Sequence, residues 1–170
     1  RCTNIVDGLL DFSRPKGVQK SPVGVNTVIE DTFFLLKHHT RFKKMTVQRE
    51  LTDGLPQVHA NAEQLVQVLM SLMLNAVDAM EAGNGRLTVR SGMGGHRGEE
   101  VVVEVQDTGM GIPRAEQTKI FEPFYTTRAD GTGLGLAIAS QTVREHRGTI
   151  AVDAGSLGGA RFTIQLPLPL

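Results

Sequence analysis

The 170-residue chain is predicted to be α+β, a two-layer α/β sandwich with helices gathered on one side of a mixed sheet. Three observations carry that prediction. Short runs of alternating apolar and polar residues recur between segments whose apolar residues fall at helical spacing. The segment Asn61 to Ala82 is apolar on nearly every side, so it must be packed against other elements. The chain closes on an alternating run, Ala160 to Leu166, with Phe162, Ile164 and Leu166 on one face.

The elements follow in order. Cys2, Ile5, Val6, Leu9, Leu10 and Phe12 fall at helical spacing until Pro15 and Gly17 end the pattern. This helix has no start signal of its own, and at about a dozen residues it is marginal without a partner surface. Residues 1–15 therefore read as the tail of a longer helix from a dimerising hairpin, the alternative being a helix packed on its own domain. Lys16 to Val25 is a linker or first edge strand, and residues 16–170 form the main domain. Asn26 and Thr27 can cap a helix to about Lys44, with Val28, Ile29, Thr32, Phe33 and Leu36 as its buried stripe. Thr46 to Leu51 alternates as a strand, Asp53-Gly54 is a turn, and Asn61 caps the apolar helix. Strands at about Leu87–Met93 and Val101–Gln106 flank a Gly-rich turn. A helix from Leu134 to His146 precedes the closing strands Thr149–Asp153 and Ala160–Leu166.

Composition narrows the function. Eighteen Lys and Arg balance eighteen Asp and Glu, leaving no global electrostatic footprint for nucleic acid. The basic run Arg41, Lys43, Lys44 reads as a solvated helix end. Cys2 is the only cysteine, so no disulfide framework or Cys-based metal site forms within one chain. No apolar run approaches the ~18 residues of a membrane span, so the expectation is a cytoplasmic-type domain.

The apolar helix also carries chemistry. At about 100° per residue, Gln64, Gln67, Ser71, Asn75 and Asp78 fall within an arc of roughly 80°. A narrow polar stripe on such a helix faces solvent or lines a pocket. Ser, Asn and Asp are poor helix formers at an exposed site, which favours the pocket. Asp107 follows directly on the strand Val101–Gln106, where a buried carboxylate is costly unless hydrogen-bonded; an adenine amino group is one partner that could satisfy it. The glycines of Asp107-Thr108-Gly109-Met110-Gly111-Ile112-Pro113 would let a base and ribose approach the backbone. Gly131, Gly133 and Gly135 lead into the next helix, whose first turn offers N–H groups and a positive dipole end to a phosphate chain. Between the loops, Ile120 to Arg128 has apolar anchors and a polar tail; it reads as a lid, with Arg128 reaching a terminal phosphate. Neither loop fits the dinucleotide fingerprint, since Arg114 and Leu136 occupy the third glycine positions, and no G-x-x-x-x-G-K-[ST] loop is present.

Together these segments resemble the ATP-binding catalytic domain of sensor histidine kinases, two-component signalling enzymes of the GHKL or Bergerat-fold superfamily, and look most like the nitrogen-regulation branch. Four ordered motifs carry the resemblance: QVLMSLMLNAVDAM (Gln67–Met80), DTGMGIP, IFEPFYTTR and GTGLGLAIA. The ending GGARFTIQLPL is similar to the family's last strand, and IVDGLLDFSRP to the end of its dimerisation hairpin. The resemblance implies a mixed sheet of about five strands backed by three helices. It implies that Asn75 binds Mg²⁺ bridging the ATP phosphates and that Asp107 hydrogen-bonds the adenine amino group. Gly109 and Gly111 would pass beneath the base, and Gly131, Gly133 and Gly135 would hinge the lid and meet the phosphates. Ser71, Asp78, Ile112, Thr132, Leu134 and Thr163 complete the nucleotide-binding set it implies.

The implied reaction is transfer of the γ-phosphate of ATP to a histidine of a dimerisation domain, with a response regulator receiver domain as the next partner. The intact protein would be a cytoplasmic or inner-membrane-anchored homodimer, and this chain alone a monomer. Ser71 stands where hydrolytic relatives have a water-activating glutamate, which favours a kinase over an ATPase. Asp78 stands where many kinases have a lysine, leaving phosphate charge to Arg128. None of His38, His39, His59, His96 or His146 lies in the family's phosphoacceptor motif, which is expected upstream of Arg1. A non-catalytic nucleotide-sensing module and a serine kinase of the same fold are the alternatives.

Overall fold

The computed structural model describes residues 19–80, 85–95, 98–125, 135–155 and 158–169, the side chain of Arg41 excepted. The expected helix within residues 1–15 lies outside them. Among the described residues the order is β1 (Ser21–Val23), α1 (Val25–Leu36), α2 (Thr40–Lys43), β2 (Thr46–Leu51), β3 (Val58–Ala60), α3 (Ala62–Ala79), β4 (Arg86–Gly94) and β5 (Glu100–Gln106). It continues with a 3-10 turn (Arg114–Glu116), α4 (Gly135–Glu145), β6 (Thr149–Ala154) and β7 (Ala160–Pro167).

Five strands form one mixed sheet in the order β2-β4-β5-β7-β6, in which β2 and β4 run parallel and every other pair antiparallel. Register aligns Val89, Val105, Phe162 and Val152 across four strands. These residues are buried and face the helices, as period-two alternation requires. The opposite face is polar: Arg90 bridges Glu50 at 2.7 Å and Glu104 at 3.7 Å, and Arg161 pairs with Asp153 at 2.7 Å. The architecture is the predicted two-layer sandwich, with α3 central on the helical side and touching both α1 and α4.

Helix α3 forms where expected because both its ends are specified. Asn61 Oδ1 accepts from the Gln64 amide at 2.9 Å, and Glu63 sits in the positive first turn. Leu65, Val68, Leu69, Leu72, Met73, Ala76 and Val77 are buried, each large side chain contributing about 1.5–3 kcal/mol. The polar stripe Gln64, Ser71, Asn75 and Asp78 is half-buried, and Gln67 is exposed.

Helix α1 departs from its prediction at both ends. Its buried stripe is as expected, but Gly24 is the N-cap, and Asn26 lies inside the helix. The Asn26 amide donates to the Thr52 carbonyl at 2.8 Å and accepts from Ser91 Oγ at 2.6 Å, tying α1 to the sheet edge instead of capping. The helix stops at Leu36 rather than Lys44, because a turn closed by His39 N–H on the Leu36 carbonyl (2.9 Å) lets Phe42 pack on Phe33, with ring centroids 6.0 Å apart. The small antiparallel pair of β1 and β3 was not foreseen in Val58–Ala60; three residues are too few to register as alternation.

His146, just past α4, joins the two helices that frame the site. Its Nδ1 donates to the Thr142 carbonyl at 2.8 Å, and its Nε2 accepts from the Asn61 amide at 3.1 Å. Burial holds its pKa below the ordinary 6.5; Lys20 and His59 push the same way, while the Thr142 carbonyl and Glu145 oppose. As pH falls below about 6.5 the unfolded chain therefore takes up this proton first, and stability declines until the folded-state pKa is passed. Urea unfolding at pH 7 and pH 5 is expected to show a lower midpoint at pH 5, with a smaller drop in His146→Gln.

Candidate functional site

Strand β5 delivers Asp107 into the protein interior, where the residue is only 1% exposed. Its Oδ1 accepts from the Gly109 amide at 2.8 Å and the Ala160 amide at 3.2 Å, and its own N–H donates to the Ala160 carbonyl at 3.0 Å. Its Oδ2 is buried with no hydrogen-bond partner among the described residues. Burial raises the carboxyl above the ordinary 3.8, and the two backbone amides pull it partly back. An unpaired buried carboxylate oxygen is costly, and it marks the place where a ligand donor can bind.

The first glycine loop lies against the end of α3. A Cβ at Gly109 would overlap the Ala79 carbonyl oxygen and sit 2.8 Å from its carbon, so the loop's approach depends on the missing side chain. Gly111 takes φ +74°, a left-handed conformation natural to glycine, and faces the Gly158–Gly159 corner. Thr108 is anchored by Met80, whose sulfur accepts from its N–H and Oγ1 at 3.4 Å, and its Oγ1 accepts from the Arg86 amide at 3.1 Å. Ile112 packs on the core, and its carbonyl accepts from Gln117 at 3.2 Å.

Gly135, the last glycine of the second loop, meets the same helix farther back. A Cβ at Gly135, the first residue of α4, would lie 3.9 Å from Ser71 Oγ. Ser71 thus faces the start of α4, Ala79 backs the first loop, and Asn75 and Asp78 lie on the helix between them. This 11-residue helix begins beside Ser71, and the first turn of a helix offers backbone N–H groups and a positive dipole end. The segment between the loops is anchored by buried Ile120 and by Phe121, edge-to-face on Phe162 at 6.1 Å, while Phe124 is exposed with φ +69°. Tyr125 donates to Glu116, a contact that pushes the phenol pKa up.

Helix α3 thus carries Ser71, Asn75 and Asp78 between the start of α4 at Gly135 and the first glycine loop at Gly109, with Asp107 at the base of that loop and Gly111 and Ile112 within it. Arg128, Gly131, Thr132, Gly133 and Leu134 lie outside the described residues. Thr163 is a correction: it pairs with Glu104 and Ala151 on the polar face, opposite Phe162 and the helices. With Phe162 and Ile164 inward, alternation alone turns Thr163 outward. Met80, Thr108, Gly159 and Ala160 were missed as supports of Asp107; the pair Gly158-Gly159 was the signal, read only as part of a strand.

The fold is that of an ATP-binding domain. Residues 60–170 match the family model described as histidine kinase-, DNA gyrase B-, and HSP90-like ATPase, and the chain belongs to that family. Its relatives are sensor histidine kinases. It is 35% identical over 164 residues to the signal transduction histidine-protein kinase AtoS of Escherichia coli K12, covering 96% of this chain and 26% of AtoS. It is 35% identical over 168 residues to the sensor kinase ZraS of Escherichia coli O157:H7, covering 99% of this chain and 36% of ZraS. The chain therefore spans about a quarter to a third of these relatives.

Solved structures agree. The catalytic domain of histidine kinase ThkA superposes with TM-score 0.76 at 30% identity, covering 87% of this chain and 95% of that one. Full-length ShkA in complex with AMPPNP gives 0.79 at 28%, covering 96% and 35%. ThkA in complex with the response regulator TrrA gives 0.79 at 26%, covering 99% and 48%.

Asp107→Asn separates the cost of the buried charge from its use. Without nucleotide at pH 7 the variant's Tm is expected to rise by about 2–4 °C, the shift that about 1 kcal/mol gives a domain of this size. Its ATP affinity is expected to fall about ten- to a hundredfold. Thermal melts and calorimetric titration check the two arms.

Proposed function

We propose that this chain is the part of a sensor histidine kinase that binds Mg-ATP and presents its γ-phosphate to a histidine on a separate dimerisation domain. The observation that carries the proposal is the buried Oδ2 of Asp107, without a hydrogen-bond partner among the described residues. With Ser71 beside the start of α4 and Ala79 beside the first glycine loop, a ligand lying along α3 with a hydrogen-bond donor at one end and an anion at the other fits this arrangement. On this reading Asp107 accepts from the exocyclic amino group of adenine, and Gly109 and Gly111 admit the base and ribose. Gly131 to Gly135 and the N-terminus of α4 take the phosphates, with Arg128 near the terminal one.

Asn75 is the proposed protein ligand to Mg²⁺. Among the described residues no three His, Cys, Asp or Glu side chains gather into a metal site, so a cation here would rest mainly on phosphate oxygens with one neutral amide from the protein. When bound, it would neutralise charge on the phosphates. In the transfer the bond from Pγ to the bridging oxygen breaks, a bond from the histidine nitrogen to Pγ forms, and ADP leaves with the bridging oxygen. The chain's share is positioning. Ser71 carries no carboxylate with which to activate water, which suits transfer over hydrolysis.

Relatives support the partners. The ThkA–TrrA complex joins a kinase to a response regulator, and an equivalent receiver domain is the proposed partner here, with the intact protein a homodimer. With radiolabelled ATP the chain alone is expected to leave its histidines unlabelled, and adding its dimerisation domain is expected to put acid-labile label on that domain's histidine. Asn75→Ala with Mg²⁺ is expected to bind ATP as weakly as the unaltered chain does in EDTA. Label on serine, or no label on the added domain, would overturn the kinase reading.

A further inference from the structure

The corner that precedes β7 is built around Asp107 more tightly than turning the chain requires. A Cβ at Gly159 would overlap Asp107 Oδ1 and its carbonyl oxygen, and would sit 2.7 Å from its carbonyl carbon. Two of those atoms are backbone at the end of a central strand, so they cannot swing aside as a long side chain would. Gly158 uses glycine's freedom, with φ +93°, but Gly159 does not take a left-handed conformation; what its position requires is the missing side chain. The closure is held on both sides: the Gly155 amide donates to the Gly159 carbonyl at 3.0 Å, and Asp107 and Ala160 exchange the bonds described above. Oδ1 is consumed by two amides, so the carboxylate plane is fixed and Oδ2 is left with one direction to point.

We propose that Gly159 is a positioning residue for purine selectivity, its lack of a side chain letting the Gly158–Ala160 corner close on Asp107 and aim the free oxygen at an exocyclic amino group. This rests on the reading of Asp107 as the base-binding residue. It goes further by placing the selectivity in a backbone corner of β7 as well as in the carboxylate. A corner that served only packing would weaken binding of every nucleotide alike. A corner that aims Oδ2 affects only bases with a donor at that position.

ATP and ITP separate the two, because ITP carries a carbonyl where adenine carries its amino group. The unaltered chain is expected to bind Mg-ATP about ten- to a hundredfold more tightly than Mg-ITP, the range for a hydrogen bond to a charged group. No discrimination there would overturn the reading of Asp107 itself. In Gly159→Ala, ATP affinity is expected to fall to that of ITP while ITP affinity changes less than about twofold, bringing the ratio near one. A Gly159→Ala variant that still discriminates would overturn the proposal and leave the Asp107 reading standing. Amide hydrogen exchange in the unaltered chain needs no variant. The Ala160 and Gly109 amides are expected to be protected before nucleotide is added, and rapid exchange that ATP then slows would show that Oδ2 is not aimed in advance.

Discussion

A half-satisfied carboxylate governs this molecule. Asp107 is taken out of water at the end of the most central strand, and among the described residues hydrogen bonds reach one of its oxygens only. Everything near it is arranged around that asymmetry. The first glycine loop turns back to donate from Gly109, the corner before β7 closes to donate from Ala160, and Met80 holds Thr108 between them. Burial raises the carboxyl's pKa, so the ionised form is held at a cost that a donor on a ligand can offset. A site of this kind is less stable empty than an apolar one of the same shape, and on the proposed reading that instability is what the ligand's donor relieves.

Helix α3 is wall and core at once. Its buried residues join the sheet to α1 and α4, while its half-buried polar stripe runs from the start of α4 toward the first glycine loop. On the proposed reading, fixing the helix for packing therefore fixes Asn75 and Ser71 for binding. Its N-terminus is clamped by Asn61, whose amide is held by His146 beyond the far end of α4. The two helices are thus tied together at one end of α4, and at its other end Gly135 meets Ser71 in the middle of α3, where the proposed phosphates would lie.

Much of this was legible in the sequence, for physical reasons that differ by element. The five sheet strands and α3 were readable because alternation and a near-continuous apolar surface leave few ways to bury them. Asp107 was readable because a carboxylate abutting Val-Val-Val-Glu-Val-Gln needs an explanation. The cap of α1 was misplaced because Asn26 has a tertiary partner in Ser91 that no local rule reveals. Thr163 was misplaced by following the family's last strand instead of the alternation that Phe162 and Ile164 already imposed. Gly159 was passed over because a close approach between residues 52 positions apart in the chain leaves no local pattern beyond a pair of glycines.

The family this chain belongs to contains enzymes named for hydrolysis as well as for histidine phosphorylation, so binding ATP does not by itself decide the chemistry. The stripe on α3 bears on it. Position 71 faces the start of α4, where the proposed phosphates would lie, and a hydroxyl there is neither acidic nor basic enough to deprotonate water near neutral pH. Asn75 is neutral and suited to a metal's inner sphere, not to proton transfer. On the proposed reading the groove therefore holds the nucleotide without supplying a nucleophile of its own, and the attacking nitrogen must arrive on another domain. That division makes phosphorylation depend on how domains meet, which is the property a signalling enzyme needs: the catalytic part can be permanently competent to bind ATP while the rate of transfer is set elsewhere.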